Sequence, residues 1–159
     1  MTDEGSACEL RLARHPEAGQ LTALALRSKA SNGYDAAFMA RCVGELTVRA
    51  EDIAEGRVVV AAEGGRLLGF ATLGLVDGEA EILALFVEPA VKHRGIGRAL
   101  FVAMAAMARA GGAARLDVDA DPHALAFYER MGCRQTGLTP SGSIPGRMLP
   151  RLALDLDPD

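Results

Sequence analysis

Gly95-Ile96-Gly97, preceded by Lys92-His93-Arg94 and followed by Arg98, sets two glycines among four possible cations. That grouping suits an anion. N–H groups at a helix start are unpaired and point outward, and the helix dipole adds partial positive charge there. Glycine lets the backbone approach a ligand with no Cβ in the way. The apolar run Glu79 to Val87 enters the turn through Pro89, and a long apolar-periodic segment leaves it. Strand, glycine-containing basic turn, helix is an order that suits a phosphate-bearing ligand.

Few other groupings of reactive side chains compete with this one. Cys8, Cys42 and Cys133 are odd in number, widely spaced and without a CxxC, which argues against a disulfide framework and a zinc site. They read as small buried or partly buried thiols. His15, His93 and His123 show no HExxH or other paired spacing, so no metal site is expected. The 159 residues suit a single domain spanning 1–159, and 50% apolar content suffices for a core. A formal charge of −4 gives no general attraction to nucleic acid or anionic membrane, so any basic site must be local. No apolar run reaches spanning length and no secretory signal is visible, so a cytoplasmic location is expected.

The elements that would position the turn follow from periodicity. Residues 1–7 form a small, polar lead-in expected to fray. Alternation over Glu9 to Ala13 gives a first strand, broken by His15-Pro16. Gln20 to Lys29 has helical spacing. After Ser31-Asn32-Gly33, Asp35 is placed to cap a second helix with Phe38, Met39 and Cys42 on one face. Glu51 to Glu55 reads as a loop or short turn. Arg57 to Ala62, Arg66 to Leu75 and Glu79 to Val87 read as three strands joined at Gly64-Gly65 and Asp77-Gly78. Gly95 to Ala110 is a helix carrying Leu100, Met104 and Met107, stopped by Gly111-Gly112. Ala114 to Ala120 is a strand, Pro122 opens a short helix closed by Gly132, and Cys133 to Gly137 is a further strand. Leu138 to Pro150 reads as a Pro/Gly/Ser loop, and Arg151 to Leu156 as the last strand. Hairpins followed by β-α-β-α-β give a mixed sheet with helices on its faces. The strands on either side of the glycine-turn helix should be parallel. A final strand after a long loop can complete its own sheet or a neighbour's, which leaves a homodimer open.

The turn is neither of two common phosphate motifs. GxxxxGK[ST] is absent, and the dinucleotide pattern GxGxxG lacks its third glycine, since Leu100 stands there. The run Val87-Glu88-Pro89-Ala90-Val91-Lys92-His93-Arg94-Gly95-Ile96-Gly97 instead resembles the acyl-CoA loop of the GNAT superfamily of N-acetyltransferases, V-x-P-x-x-[QR]-x-x-G-x-[GA]. Val87, Pro89, Gly95 and Gly97 match, while Lys92 replaces the preferred Gln or Arg. Downstream, Asp121 to Cys133 is similar to the second signature, N-x-x-A-x-x-F-Y-x-x-x-G-[FY], matching at Ala124, Phe127, Tyr128 and Gly132. Asp121 replaces the usual Asn and Cys133 the usual aromatic.

The resemblance implies an α/β acyl-CoA N-acyltransferase fold. Its sheet would be mixed, mostly antiparallel and twisted, with helices on both faces. Acetyl-CoA would lie in a cleft between two splayed central parallel strands. Lys92, His93, Arg94, Gly95, Ile96, Gly97 and Arg98 would surround the pyrophosphate. Leu85, Phe86 and Val87 would offer backbone groups to the pantetheine and the reacting carbonyl, with Asp121 and Phe127 beside the cofactor. Tyr128 is the implied proton or hydrogen-bond donor to the departing thiolate. The acceptor would be a small-molecule or protein amine. A lysine amine near pKa 10.4 is neutral in about one molecule in 10³ at pH 7, so a base is useful. Members that acetylate histone lysines carry a glutamate at a similar place on the strand before the turn. Glu81 stands there, and Glu79 shares its strand face. Water is the alternative base. Specificity is expected from Tyr34 and its neighbours Asp35 and Phe38, and from the late loop with Ser141, Ser143 and Arg147. Arg147 has two uses open to it, a carboxylate ligand or a pair with Asp35. A CoA-binding sensor or interaction module of the same fold is the alternative function, and a nucleotide-binding regulator using the Gly95–Gly97 turn is a third.

Overall fold

A computed structural model describes residues 8–156. The reading of residues 1–7 lies outside them. The elements run β1 (Cys8–Leu12), α1 (Ala18–Ala30), α2 (Ala36–Leu46), α3 (Ala50–Ala54), β2 (Val58–Glu63), β3 (Arg66–Val76), β4 (Glu79–Val87), α4 (Ile96–Ala110), β5 (Arg115–Asp119), α5 (Leu125–Arg130), β6 (Arg134–Pro140) and β7 (Met148–Asp155). One 7-stranded sheet has the order β1-β2-β3-β4-β5-β7-β6. Among the described strands only β4 and β5 pair in parallel, as the sequence implies for strands flanking the glycine-turn helix.

Tight turns hold the β2–β3 and β3–β4 hairpins in register. Gly64 and Gly65 both have positive φ, as do Asp77 and Gly78, which suits two-residue turns matched to strand twist. The sheet buries both faces. Leu100, Met104 and Ala108 of α4 pack on one, against Leu68, Ala80, Ile82 and Leu116. Leu21, Leu24 and Ala25 of α1 pack on the other, against Val58, Val60 and Phe70. Each large apolar side chain sealed in this way contributes about 1.5–3 kcal/mol.

One irregularity in β4 shapes everything downstream. Leu73 pairs with Ile82 and Thr72 with Ala84, so Leu83 is an extra residue in the strand. This β-bulge resets the side-chain alternation. Ala80, Ile82, Leu85 and Val87 therefore share the α4 face, while Ala84 and Phe86 face α1. Leu83 is left 55% exposed and lies over Gly74, where a Cβ would come within 3.1 Å of its side chain.

The structure departs from the sequence reading in two places. Residues 51–54 belong to α3 rather than to a loop or short turn, because Ile53 is drawn into the α1-side core and the last turn closes through Glu55 N–H to Glu51 C=O. The late loop is shorter than the Pro/Gly/Ser composition implies. β6 runs to Pro140 and β7 starts at Met148, leaving 141–147. Pro150 is accommodated because the β5–β7 ladder ends at Asp119–Arg151, one residue earlier in space, and its C=O accepts from Ala120 N–H. β7 inserts between β5 and β6, so the last strand completes the sheet of its own chain.

Candidate active site

The parallel pairing of β4 and β5 covers only Ala80–Ile82 against Leu116–Val118. Beyond the bulge the two strands separate, and β4 keeps a free edge as far as Val87. A cleft of about 480 Å³ opens there. Ile82–Val87 form one side, Val118–Asp121 the other, and Phe127 and Tyr128 line it as well.

The glycine turn closes one end. Pro89–Val91 form a short 3₁₀ turn, His93 and Gly95 take left-handed φ of 73° and 82°, and α4 begins at Ile96. The N–H groups of Ile96, Gly97 and Arg98 have no partner among the described residues, and the first bond into the helix is Ala99 N–H to Gly95 C=O. Three donors thus point outward at the positive end of a 15-residue helix, which is a site for an anion. A Cβ on Gly97 would stand 3.2 Å from the Phe127 ring, so this glycine permits the α4–α5 approach. Two contacts fix the turn against α1. Arg27 pairs with Glu88 through both carboxylate oxygens, and Lys92 Nζ donates to Ser31 Oγ at 3.3 Å. Lys92, His93 and Arg98 line the cleft. Arg94 does not, since it pairs with Glu63 at the end of β2, 3.0 Å away.

Tyr128 is buried beside Phe101 and Phe127, with ring centroids at 6.2 and 5.1 Å. Its hydroxyl has no hydrogen-bond partner among the described residues. Burial pushes its pKa far above the ordinary phenol value, and Cys133 adds to that. It therefore keeps its proton and can donate to a base or anion entering the cleft.

The two glutamates named from sequence separate. Glu79 is exposed at the start of β4, opposite Val76. Glu81 sits beside Asp117 in the parallel register and shares Arg151 with two aspartates. Arg151 lies 2.7 Å from Asp119, 3.4 Å from Asp117 and 3.6 Å from Glu81. Burial, then the Asp119 charge, raises the Glu81 pKa despite Arg151. Of this acidic group it is Asp119 that reaches the cleft lining. Sequence reasoning passed over Asp119, although its period-two relation to Asp117 on the strand paired with β4 was available.

A second polar cluster occupies the cleft near Asp121. Lys29 Nζ donates to its Oδ2 at 2.9 Å, Tyr34 Oη to the same oxygen at 2.8 Å, and His123 N–H to Oδ1 at 2.8 Å. His123 Nδ1 stands 2.9 Å from Oδ1. Burial alone would raise the Asp121 pKa, but the His123 and Lys29 hydrogen bonds outweigh it and hold the carboxyl well below the usual range. Arg147 Nη2 donates to Tyr34 Oη at 2.6 Å and lies 3.6 Å from Asp121. Tyr34 stacks on Phe38 with centroids 4.0 Å apart. Asp35 caps α2 through Phe38 N–H instead of pairing with Arg147. Ser141 Oγ accepts from Ser143 and Ile144 N–H and so folds the 141–147 loop, while Ser143 Oγ bonds Glu45 on α2. Tyr34, Ser141, Ser143 and Arg147, named separately from sequence, come together here. Lys29 and Glu45 join them unannounced, because a lone charge on a helix carries no signal of its long-range partner.

The residues present fit an acyl-CoA: free N–H groups suit a pyrophosphate, an unpaired strand edge suits amides, and a protonated phenol suits a thiolate. The Acetyltransferase (GNAT) family model matches residues 23–133. Among curated proteins, none matches the chain by sequence. The structure is similar to that of PaiA N-acetyltransferase from Thermoplasma acidophilum in complex with coenzyme A, with TM-score 0.77, 17% identity and coverage of 93% of this chain and 98% of that one. It is similar to yncA from Salmonella typhimurium with its cofactor acetyl-CoA, with TM-score 0.69, 24% identity and 95% coverage of each chain. It is also similar to the ribosomal-protein-S18-alanine N-acetyltransferase from Escherichia coli, with TM-score 0.68, 18% identity and 94% coverage of each chain.

Proposed function

This chain belongs to the GNAT acetyltransferase family, and we propose that it transfers an acetyl group from acetyl-CoA to a primary amine by direct attack in a ternary complex. One observation carries the reading. The open N–H groups of α4, the unpaired edge of β4 and Tyr128, whose hydroxyl has no partner among the described residues, all belong to residues that line the same cleft.

Bound acetyl-CoA supplies an activated thioester. The first turn of α4 holds its pyrophosphate, with Lys92 and Arg98 alongside, while Arg94 serves the sheet edge. The β4 backbone from Leu85 to Val87 orients the extended arm and offers N–H donors where negative charge develops on the carbonyl oxygen. The amine nitrogen forms the new bond to the acetyl carbon as the carbon–sulfur bond breaks. Tyr128 donates a hydrogen bond to the departing sulfur. The proton lost by the amine passes toward the Asp119–Glu81 carboxylates through water, since Asp119 is the member of that group on the cleft lining. Glu81 acts behind it, and Glu79 is too far out on the strand to take part. No described helix is long and apolar enough to cross a membrane. A cytoplasmic location is part of this proposal.

Saturable thermal stabilisation by acetyl-CoA, followed by thiol release with a panel of amines, tests the reading. No stabilisation at millimolar acetyl-CoA ends it. Stabilisation without turnover on any amine leaves a CoA-binding module.

A further inference from the structure

Resting on the acetyl-transfer reading above, we propose that the acceptor carries a carboxylate near its amine, and that Arg147 binds this carboxylate. A guanidinium offers five N–H donors in a planar fork. Only Nη2 of Arg147 is engaged, by Tyr34. Its Nε and Nη1 have no hydrogen-bond partner among the described residues, although the side chain is only 18% exposed and the residue lines the cleft. Donors enclosed to that degree are ordinarily satisfied.

The neighbouring acid cannot satisfy them. Asp121 is already held by Lys29, Tyr34 and His123, and Arg147 stays 3.6 Å away. Lys29 and Arg147 bring two positive charges to this cluster and Asp121 one negative, which leaves a surplus of one. Glu45, at the other end of the 141–147 loop, is engaged by Ser143. The guanidinium carbon stands 5.1 Å from the Tyr34 ring centroid and 4.9 Å from that of Phe38. Because the two rings stack on each other 4.0 Å apart, the guanidinium lies beside the stacked pair, held there by the Nη2 bond to Tyr34, and its Nε–Nη1 edge stays available. A planar, bidentate acceptor of hydrogen bonds fits such an edge, and a carboxylate is one.

A cofactor phosphate has related chemistry, so the experiment must separate the two. Matched acceptors that differ only in the carboxylate, such as β-alanine and β-alaninamide or lysine and lysinamide, are compared at saturating acetyl-CoA by thiol release. The expected acid-to-amide ratio of kcat/KM is about 10 or more, and in Arg147→Gln it falls by roughly 10- to 100-fold, the effect of losing charged hydrogen bonds. Arg147→Lys keeps the charge without the fork, so its ratio lies between the two, and it serves as the test if the Gln variant does not fold. The acetyl-CoA Kd is expected to stay unchanged in both. A ratio at or below one in the parent protein overturns the proposal, as does a ratio insensitive to Arg147. Weakened acetyl-CoA binding in the variants also overturns it, by assigning Arg147 to the cofactor. If acetyl-CoA binds but no amine turns over, the transfer reading fails separately. The same pairs are then compared by thermal stabilisation of the CoA complex. Selective stabilisation by the acids, lost in Arg147→Gln, upholds the carboxylate site, and its absence overturns it.

Discussion

Asp121 on the β5–α5 connection and Arg147 on the 141–147 loop lie 3.6 Å apart, and the Tyr34 hydroxyl bonds to both. Three segments far apart in sequence are thereby tied at one point: the α1–α2 connection, the start of the Tyr128 segment and the last loop. The tie is polar, half-buried and centred on a single carboxylate, so its chemistry has consequences for stability as well as for binding.

Asp121→Asn should destabilise the protein and flatten its acid limb. The change keeps the size but removes the negative charge that Lys29 and Arg147 share. Leaving two half-buried cations without their counter-charge costs on the order of 3 kcal/mol. The folded pKa of Asp121 is lowered, so its stabilising contribution is full above the ordinary aspartate value and is lost as pH falls through the folded value. The parent should therefore lose stability steadily as pH drops below about 4, and the Asn variant should lose less over the same window. Urea midpoints measured across that range check this, and parallel slopes would refute it.

Tyr128→Phe should separate stability from catalysis. The residue is buried and its hydroxyl has no partner among the described residues. Deleting an unsatisfied buried hydroxyl relieves about 1 kcal/mol, equivalent to a rise of roughly 2–4 °C in Tm for a domain of this size. The same deletion removes the donor aimed at the leaving sulfur, and kcat should fall by roughly 10²-fold. Acetyl-CoA affinity should hardly move. A drop in Tm would mean that the hydroxyl has a structural partner, and an unchanged kcat would take it out of the mechanism.

Gly97→Ala should weaken acetyl-CoA binding without unfolding the protein. The added methyl meets Phe127 at 3.2 Å and stands at the first turn of α4, beside the N–H groups left free for the pyrophosphate. Helix propensity favours alanine by at most about 1 kcal/mol and the tight Phe127 contact opposes it, so Tm should change little. The Kd for acetyl-CoA should increase by roughly tenfold, as for one lost charge-assisted hydrogen bond. Isothermal titration measures it, and an unchanged Kd would show that the cofactor does not approach this position.

Much of this was legible in the chain because local chemistry dictated it. Gly64-Gly65 and Asp77-Gly78 mark the hairpins, Asp35 its helix cap, and the 92–98 run its anion turn. Long-range choices were not legible. Nothing local tells that Arg94 turns to Glu63 while Lys92 turns to Ser31, or that Lys29 meets Asp121 across 92 residues. The bulge at Leu83 was hidden as well, since Ile82-Leu83-Ala84-Leu85 is apolar throughout and either alternation would serve. That bulge decides which β4 side chains beyond Ile82 turn toward α4 and which toward α1.

The acid limb of the pH–rate profile should therefore report on the group formed by Glu81, Asp117 and Asp119 around Arg151. Burial and the Asp119 charge raise the Glu81 pKa, so Glu81 takes up its proton at a higher pH than a free glutamate would. As pH falls, Glu81 is neutralised and its share in accepting the amine's proton goes with it. Activity in kcat/KM should then begin to fall at a pH above the ordinary value of about 4.3. Asp119→Asn removes one of the charges that raise Glu81, and should shift this limb to lower pH while reducing kcat by roughly 10²-fold if Asp119 receives the proton. Glu81→Gln should abolish the raised limb with a smaller fall in kcat, because Asp119 remains on the cleft lining. Profiles recorded with a lysine-type and an α-amine acceptor distinguish enzyme groups from substrate ionisation, since only the latter moves with the amine. A limb that follows the amine alone, and ignores both substitutions, would assign the proton to bulk water.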